Sequence, residues 1–320
     1  MNSEILSVAE TAQAVYAMFI DYEEGDIASA IGHVYTVPGV RGDRAPPNQV
    51  LATNDTLRVM WASPSGAIWV ASADGNVGTT APVSWPAANP GVDYQSMGGS
   101  AVWSVTSLPR LKGSQLPPNI TTLWGTSDKD VHAGTYGGHL YHWNGKGWRQ
   151  LHEGSNDGST TIAAFGGTSQ KNVYAVGAQD TLLHFDGTAW RQVAVPGAGS
   201  NGNEGLTGVH PLPDEQVLIV ASGDQGRLLH GNAAGLHEIG RYPMELIGVV
   251  ALGERVLFPT GGGVAELSGR DVKMLRDDYP NTSMFPGVDR VFLLKPAQER
   301  PNYVEYRPDA GEAPWWKFQY

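Results

Sequence analysis

The sequence predicts an all-β fold, a single β-propeller of about seven four-stranded blades, with six or eight blades as alternatives. The main observation is an internal duplication, in which the segment from Gly125 to Leu151 recurs without a gap from Gly167 onward. Each copy contains four short apolar runs separated by turn residues. Four-strand units at spacings of about 40 to 45 residues are typical of propellers. The abundance of glycine (41) and proline (21) fits a chain with many tight turns.

The clearest copy defines the four strands of a blade. We expect strands at about Thr121–Trp124, Val131–Gly134, His139–Trp143 and Trp148–Leu151. The Asn144-Gly145 and Asp186-Gly187 pairs predict two-residue hairpin turns between the last two strands, because Gly and Asn or Asp tolerate a positive φ. No segment combines helical periodicity with capping residues.

Weaker copies extend the pattern over the whole chain, which we expect to form one domain, 1–320. They lie at residues 66–85, 216–232 and 254–275, with less regular strands at 14–37, broken at Glu24-Gly25 and at Gly32-His33, and at 289–319. Residues 89–118 match poorly and are interpreted as an insertion. Because a propeller must close its ring, we expect a strand of the N-terminal segment to pair with Trp315–Phe318. A β-sandwich is the alternative fold, but it does not explain the duplication.

The repeat resembles bacterial propeller repeats of the broad sialidase-like and YVTN-like group. The residues that carry the resemblance run from Trp124 to Trp148 and from Gly166 to Trp190. It implies the fold only, since propellers serve as enzymes, lectins, scaffolds and inhibitors. The Trp-Asp pair of WD40 repeats is absent, and so is the early Phe/Tyr-Arg-Ile-Pro motif of sialidases.

The charge pattern narrows the classes of partner. The formal net charge is −11 and no run of basic residues exists, which argues against nucleic-acid and anionic-membrane binding. An acidic surface favours basic partners. The lack of cysteine excludes disulfides and thiol catalysis. The N-terminal segment lacks the basic and apolar regions of a signal peptide, and no apolar segment reaches about 20 residues, so we expect a cytoplasmic protein.

Catalytic and metal motifs are weak. His142, His184 and His230 occur once per repeat on the third strand, so they radiate around the ring, and we expect each to hold its blade together. We therefore predict no metal and no cofactor. Asp277-Asp278 could bind a cation or act as an acid–base pair, although a solvated loop is the simpler interpretation. The recurring Trp148 and Trp190 are interpreted as packing residues.

The leading functional hypothesis is a non-enzymatic propeller that binds another protein through an acidic loop face. In a propeller this face carries the loops between the second and third strands and the connections between blades. The candidate residues there are Asp74, Tyr136, Gln179, Asp180, Asp224, Gln225, Tyr242, Asp277, Asp278 and Tyr279, and the same loops contain Asn156, Asp157, Glu204 and Arg241. Carboxylates bind Lys and Arg, and Tyr provides anchoring area.

A concrete form of this hypothesis is an inhibitor or immunity-type protein that masks a basic toxin or enzyme. Two alternatives stay open. A carbohydrate-binding propeller would stack sugars on Trp143 and Phe185, although the next repeat has Gly231 at that position. A hydrolase or lyase would carry its site over the central channel, marked by acids with shifted pKa values and an Arg on one loop face.

Overall fold

The computed structural model describes residues 2–43, 45–98, 102–111, 116–155, 159–199, 205–280, 283–295 and 302–319. For residues 27–29 it describes the backbone alone. The described residues form 29 strands in seven antiparallel sheets, which confirms a β-propeller of seven blades. None of the described residues form a helix long and apolar enough to cross a membrane.

The first two blades contain the irregular part of the chain. Blade 1 comprises β1 (Asn2–Glu10), β2 (Val15–Glu23), β3 (Asp26–Val37) and β4 (Asn48–Thr53). Blade 2 comprises β5 (Leu57–Ala62), β6 (Ile68–Ser72), β7 (Asn76–Thr79) and β9 (Ser104–Ser107). Between β7 and β9, the short strand β8 (Tyr94–Ser96) leaves blade 2 and pairs with β4 as a fifth strand of blade 1. Strand β3 is continuous through Gly32-His33, so the predicted break there is wrong.

The remaining five blades each consist of four consecutive strands. Blade 3 comprises β10 (Ile120–Ser127), β11 (Asp130–Thr135), β12 (Leu140–Trp143) and β13 (Trp148–His152). Blade 4 comprises β14 (Ile162–Ser169), β15 (Asn172–Gly177), β16 (Thr181–Phe185) and β17 (Trp190–Gln192). Blade 5 comprises β18 (Gly205–Pro211), β19 (Val217–Ser222), β20 (Gly226–Asn232) and β21 (Gly235–Tyr242). Blade 6 comprises β22 (Val250–Leu252), β23 (Arg255–Pro259), β24 (Val264–Ser268) and β25 (Asp271–Arg276). Blade 7 comprises β26 (Ser283–Pro286), β27 (Val291–Leu294), β28 (Asn302–Tyr306) and β29 (Trp315–Gln319).

The core lies between the blades. Successive side chains of a strand point to opposite faces of its sheet, so each blade presents one apolar face to each neighbour. In β11, for example, Val131 and Ala133 pack toward blade 2, while His132 between them contacts Phe165 and Phe185 of blade 4. Apolar clusters fill all seven interfaces between adjacent blades, including the one between blades 7 and 1.

In the duplicated Gly-Thr-Ser segment the first strand lies unusually close to the second strand. A Cβ at Gly125 would lie 2.2 Å from the carbonyl oxygen of Asp130, and at Gly167 the distance to the carbonyl oxygen of Asn172 would be 2.4 Å. Only glycine allows the strands to approach this closely, which explains why it recurs in register.

The turns between the third and fourth strands are longer than expected. Trp143 pairs with Trp148, so the loop holds four residues instead of the predicted two. The side-chain oxygen of Asn144 accepts hydrogen bonds from the backbone N–H groups of Lys146 and Gly147. Asp186 does the same in blade 4, with Thr188 and Ala189. Asn and Asp therefore recur here because their side chains satisfy backbone donors of the turn.

The ring closes without exchanging a strand. Strand β29, which contains Trp315–Phe318, pairs with β28, and β1 pairs with β2. The expected pairing between the two ends of the chain is therefore wrong. Instead, the first strands of blades 1 and 7 contact each other, and apolar side chains such as Val8 and Phe292 fill the interface.

An ion cluster, which we call the closure latch, joins the same two blades. It consists of Glu10 and Arg41 of blade 1 with Arg290 and Glu305 of blade 7. Arg290 binds Glu10 and donates to Glu305 at 2.5 Å, while Arg41 reaches across to Glu305 at 2.6 Å. Glu305 is fully buried and Arg290 is 5 % exposed. Buried charges are tolerated when their partners surround them, so the latch makes closure dependent on contacts across the seam.

Removing one partner of the latch is expected to destabilise the fold strongly. In Arg290→Met, two buried carboxylates lose a partner, and the free energy of unfolding should fall by about 3 to 5 kcal/mol. The matched control is Arg191→Met, which breaks a pair with Asp186 whose Arg side chain is 72 % exposed and should cost less than about 1 kcal/mol. Urea denaturation of both variants measures the difference. Equal, small losses would show that the latch does not hold the ring.

Candidate functional site

The two faces of the propeller differ in their loops. We call the loop face the side that carries the loops between the second and third strands and the connections between blades, and the turn face the opposite side. The structure places Asp74, Tyr136, Gln179, Asp180, Asp224 and Gln225 in loops between second and third strands. Asp277, Asp278 and Tyr279 lie in the connection from blade 6 to blade 7, and Tyr242 ends β21. Asn156, Asp157 and Glu204 lie outside the described residues.

A pair of carboxyl groups on the loop face is the most distinctive group of these residues. Asp74 is exposed and shares a hydrogen bond with Asp55, which lies in the connection from blade 1 to blade 2 and is 4 % exposed. Asp55 Oδ2 accepts hydrogen bonds from the Asn76 side-chain amide at 2.9 Å and from the Tyr94 hydroxyl at 3.0 Å. Two donors thus hold the buried carboxylate beside the exposed one.

The surroundings shift the proton affinity of the pair. Partial burial raises the pKa of Asp74 above its usual range, and the hydrogen bond and charge of Asp55 raise it further, while the charge of Arg58 lowers it. Burial, together with the neighbouring carboxylates, also raises the pKa of the Tyr94 hydroxyl well above its usual value. Arg58 is exposed near the start of β5, a first strand that contacts the first strands of both neighbouring blades. The group therefore stands near the mouth of the central channel.

The inserted segment contributes to this site. Tyr94 belongs to β8, and the loop before it is fixed to the blade connection by two hydrogen bonds of Asn54, one to the Gly91 carbonyl at 2.7 Å and one from the Asp93 N–H at 2.9 Å. Sequence reasoning identified Asp74 but missed Asp55, Asn76 and Tyr94. Since Tyr94 lies within the poorly matching stretch 89–118, no repeat position marks it.

The other predicted residues differ in their exposure. Asp224 and Gln225 are exposed, and so is Tyr136, at 55 %. Gln179 and Asp180 both adopt positive φ, near 55°, and Asp180 Oδ2 accepts a hydrogen bond from the Gly199 N–H at 3.0 Å. These residues lie in the loops of blades 3, 4 and 5, apart from the Asp55–Asp74 pair of blades 1 and 2.

Two predicted tyrosines do not reach the surface. Tyr242 is 8 % exposed, and its hydroxyl donates to the Arg270 carbonyl at 2.6 Å. Tyr279 is 5 % exposed and packs in the core between blades 6 and 7. Both rings are therefore part of the packing between blades. Burying an aromatic ring against apolar neighbours is more favourable than exposing it to water.

The acidic pair Asp277-Asp278 does not act as a unit. Asp278 forms an ion pair with Arg276, whose guanidinium also stacks over the Trp315 ring at 4.8 Å. The hydrogen bond from Arg276 lowers the pKa of the Asp278 carboxyl. Asp277 is exposed beside it. Because the Asp278 carboxylate is already bound to an arginine, it is less suited than Asp74 to bind a cationic side chain of a partner.

His142 and His184 join the strands of their blades by hydrogen bonds, as expected, whereas the third recurring histidine, His230, packs against the His237 ring with 5.2 Å between centroids. His142 Nε2 lies 2.7 Å from Asp130 Oδ1, and Asp130 also accepts a hydrogen bond from the Thr126 hydroxyl. In blade 4 the same positions hold His184 and Asn172, with 2.9 Å between Nε2 and Oδ1. The duplicated motif is thus a chain of hydrogen bonds across three strands.

Blade 3 adds a histidine that the repeat analysis missed. His132, fully buried on β11, stacks on His142 with 4.5 Å between ring centroids, and its Nε2 lies 3.7 Å from Asp130 Oδ1. Burial, and secondarily the proximity of His142, lower the pKa of His132 to about 3, so the ring is neutral at physiological pH. Asp130, His132 and His142 bring one ligand atom each within 4.8 Å of one another. Among the described residues, they are the group of three whose ligand atoms lie close enough together to hold a metal ion.

The rings proposed for sugar stacking are inside the protein. Trp143 is 1 % exposed and Phe185 is 2 % exposed. Trp190 packs against Phe185 with 5.2 Å between centroids, and Trp148 packs against Trp143. The expectation that Trp148 and Trp190 are packing residues is confirmed, whereas Trp143 and Phe185 cannot serve as platforms for a sugar.

A cleft on the turn face belongs to the ring closure. It has a volume of about 590 Å³ and is lined by residues of the closure latch and of the adjacent loops. Val40 and Val288, which are 70 % and 76 % exposed, stand at its edge. Glu10 and Arg290, which line this cleft, already bind each other, so we assign the cleft to the seam.

Comparison with known proteins identifies the fold and no family. No protein-family model matches the sequence, and no curated protein matches it. Among solved structures, virginiamycin B lyase from Staphylococcus aureus superimposes with a TM-score of 0.62 at 9 % identity, covering 92 % of both chains. YCF48 bound to D1 peptide gives a TM-score of 0.58 at 13 % identity, covering 98 % of this chain and 94 % of that one.

A third similar structure is part of a larger protein. It is the extracellular domain of a putative one-component system from B. thetaiotaomicron, with a TM-score of 0.56 at 10 % identity, and the match covers 92 % of this chain but 37 % of that one. At these identities the likeness shows the propeller fold alone. The specific bacterial repeat group that the sequence resembles is supported only through that fold.

Asp74→Asn is expected to stabilise the protein at neutral pH. A raised pKa means that the folded state binds the proton more tightly than the unfolded chain, so the stability due to this group is present at low pH and is lost as pH rises through the folded pKa. Asparagine removes the repulsion from Asp55. Because Asp74 is exposed and its charge is screened, the gain at pH 7 should be below about 1 kcal/mol, and it should vanish near pH 3.

Urea denaturation of wild type and variant across this pH range tests the prediction. Asp214→Asn is a suitable control, since Asp214 is exposed on the turn face and has a positive φ of 58° that Asn tolerates. A loss of stability in Asp74→Asn at pH 7 would show that attraction to Arg58 outweighs repulsion from Asp55.

Proposed function

We propose that this protein binds a basic segment of a partner protein on its loop face, with the Asp55–Asp74 pair as the principal contact. The carboxyl pair carries the proposal. Like-charged carboxylates in hydrogen-bond contact cannot both ionise without repulsion. A lysine or arginine side chain placed between them removes that repulsion and gains charge-assisted hydrogen bonds. The pair is thus better satisfied with a bound cation than alone.

The charge of the whole loop face supports this partner chemistry. Carboxylates come from the described loops of six blades: Glu24, Asp74, Glu153, Asp180, Asp224 and Asp277. The described cations on this side include Arg58, Arg110, Arg241, Arg276 and Lys295, of which Arg241 binds Glu238, Arg276 binds Asp278 and Lys295 lies over the Tyr279 ring. Such an excess of negative charge accelerates association with a basic partner.

Tyr136 adds an apolar contact to this surface. Its ring is 55 % exposed in the loop between β11 and β12, and exposed Tyr residues are frequent anchors at protein interfaces. The YCF48 structure with a D1 peptide supports the idea that a propeller of this size can receive a peptide. A concrete form of the proposal is a cytoplasmic inhibitor or immunity-type protein that masks a basic toxin or enzyme.

Acid–base catalysis by the same cluster is the second candidate function. A carboxyl group with a raised pKa beside another carboxylate and an arginine is an arrangement that enzymes use for proton transfer. Virginiamycin B lyase from Staphylococcus aureus, which has a similar fold, supports the idea that a propeller of this size can carry an enzyme site. In this version Asp74 donates or accepts the proton, Asp55 sets its pKa, and Arg58 binds an anionic group of the substrate.

Binding of a labelled Lys/Arg-rich decapeptide, with a Glu-rich peptide of equal length for comparison, tests the first candidate. We expect the basic peptide to bind and its affinity to fall with added salt. Affinity should also increase as pH rises through the raised pKa of Asp74, because the cation prefers the ionised pair. Asp74→Asn should weaken binding about tenfold, corresponding to about 1.4 kcal/mol, and should abolish the pH dependence.

The control and the contrary outcomes separate the two candidates. Asp214→Asn, on the turn face, should bind the peptide like the wild type. Peptide binding that is equal in Asp74→Asn and Asp214→Asn would reject the carboxyl pair as the contact. Capture of a stoichiometric basic protein from the source lysate supports the first candidate, whereas Asp74-dependent turnover of a small molecule without such a partner supports the second.

A further inference from the structure

Three side chains with metal-binding atoms meet in the interface between blades 3 and 4. Asp130 and His132 lie on β11 and His142 on the adjacent β12, and one ligand atom from each lies within 4.8 Å of the others. A carboxylate oxygen and two imidazole nitrogens are the ligands of many zinc sites. The set lies away from the Asp55–Asp74 pair and does not depend on the proposed function.

His132 provides an independent observation that points to a ligand. Its side chain is fully buried, yet neither ring nitrogen has a hydrogen-bond partner among the residues that the structure describes. The rings around it besides His142 are those of Trp124, Phe165, Phe185 and Trp190. Buried polar atoms without partners are uncommon in native proteins because their desolvation is not compensated. A metal ion bound at Nε2 would satisfy one of the two nitrogens.

The duplicated blade shows that the fold itself does not require this set. The positions of Asp130, His132 and His142 are occupied in blade 4 by Asn172, Tyr174 and His184, and His184 still binds Asn172. Blade 4 therefore keeps the hydrogen bond that joins its strands with only one good metal ligand. The hydrogen bond between the strands therefore does not explain why blade 3 has an aspartate at position 130 and a second histidine at position 132.

Two of the three distances between ligand atoms bracket the separation found in a zinc site, and the two stacked imidazole rings would have to tilt toward a common ion. Asp130 Oδ1 lies 2.7 Å from His142 Nε2 and 3.7 Å from His132 Nε2. In a tetrahedral zinc site with bonds of 2.0 to 2.1 Å, ligand atoms are separated by about 3.3 Å, which is between these two values. The Thr126 hydroxyl holds Asp130 Oδ2, as outer-shell groups commonly orient a ligating carboxylate. The His142 side chain is 16 % exposed, which leaves a side open for water as a fourth ligand.

We propose that Asp130, His132 and His142 form a binding site for a Zn²⁺-like divalent transition metal between blades 3 and 4. The ion would join the second and third strands of blade 3 and fill the polar gap beside the aromatic rings of blade 4. Its role would be structural, since the surrounding rings leave little access for a substrate.

The experiment titrates the full-length protein, treated with chelator, with Zn²⁺ in competition with a chromophoric chelator, and with Co²⁺ followed by its visible absorption. His132→Tyr and Asp130→Asn are the test variants. Each introduces the residue that blade 4 already accommodates, so both are expected to fold, which circular dichroism checks. His237→Gln, which removes an exposed histidine of blade 5, is the control for binding at surface histidines.

We expect one Zn²⁺ per chain in the wild type and in His237→Gln, with a melting temperature that rises on adding metal. Affinity should fall at least a hundredfold in His132→Tyr and at least tenfold in Asp130→Asn, and Co²⁺ should give a tetrahedral spectrum only where the site is intact. The proposal is overturned if the wild type binds no stoichiometric metal, or if the folded His132→Tyr variant binds it as tightly as the wild type.

Discussion

Packing between blades is the constraint on which the rest of this structure depends. Every blade buries both faces, one against each neighbour, because the strands alternate their apolar side chains. A single sheet such as β10–β13 has no interior of its own, and its residues Trp143 and Leu140 belong to two different clusters. The fold is therefore complete only as a closed ring, and each local feature is stable because two neighbours cover it.

The seam between blades 1 and 7 shows how this requirement is met without a shared strand. Backbone pairing across the seam is replaced by apolar contact between the first strands and by the closure latch. Charged groups gain directionality from their hydrogen bonds, which an apolar contact lacks. The cleft at this seam is thus a consequence of closure, and the candidate site lies on the opposite face of the propeller, in blades 1 and 2.

In four blades a polar residue at the start of the second strand binds a polar residue on the neighbouring third strand. The first residue of the pair either begins the second strand or directly precedes it. The pairs are Asp130 and His142, Asn172 and His184, Arg255 and Glu266, and Arg290 and Glu305 in blades 3, 4, 6 and 7. In every case the pair ties the second strand to the third. Blade 7 extends it into the closure latch, and blade 3 extends it with His132 into the set of potential metal ligands.

The sequence by itself determined the repeat, the strand order of the regular blades and the acidic character of the chain, because these follow from local periodicity, turn chemistry and composition, and it narrowed the number of blades to between six and eight. It also located Asp74, Tyr136 and Asp224 on one face. Only the tertiary structure decided that Asp55 and Tyr94 stand beside Asp74, that Tyr242 and Tyr279 are buried, and that the ring closes through Arg290. These features depend on contacts between residues far apart in the chain, for which no repeated position or short motif gives a signal.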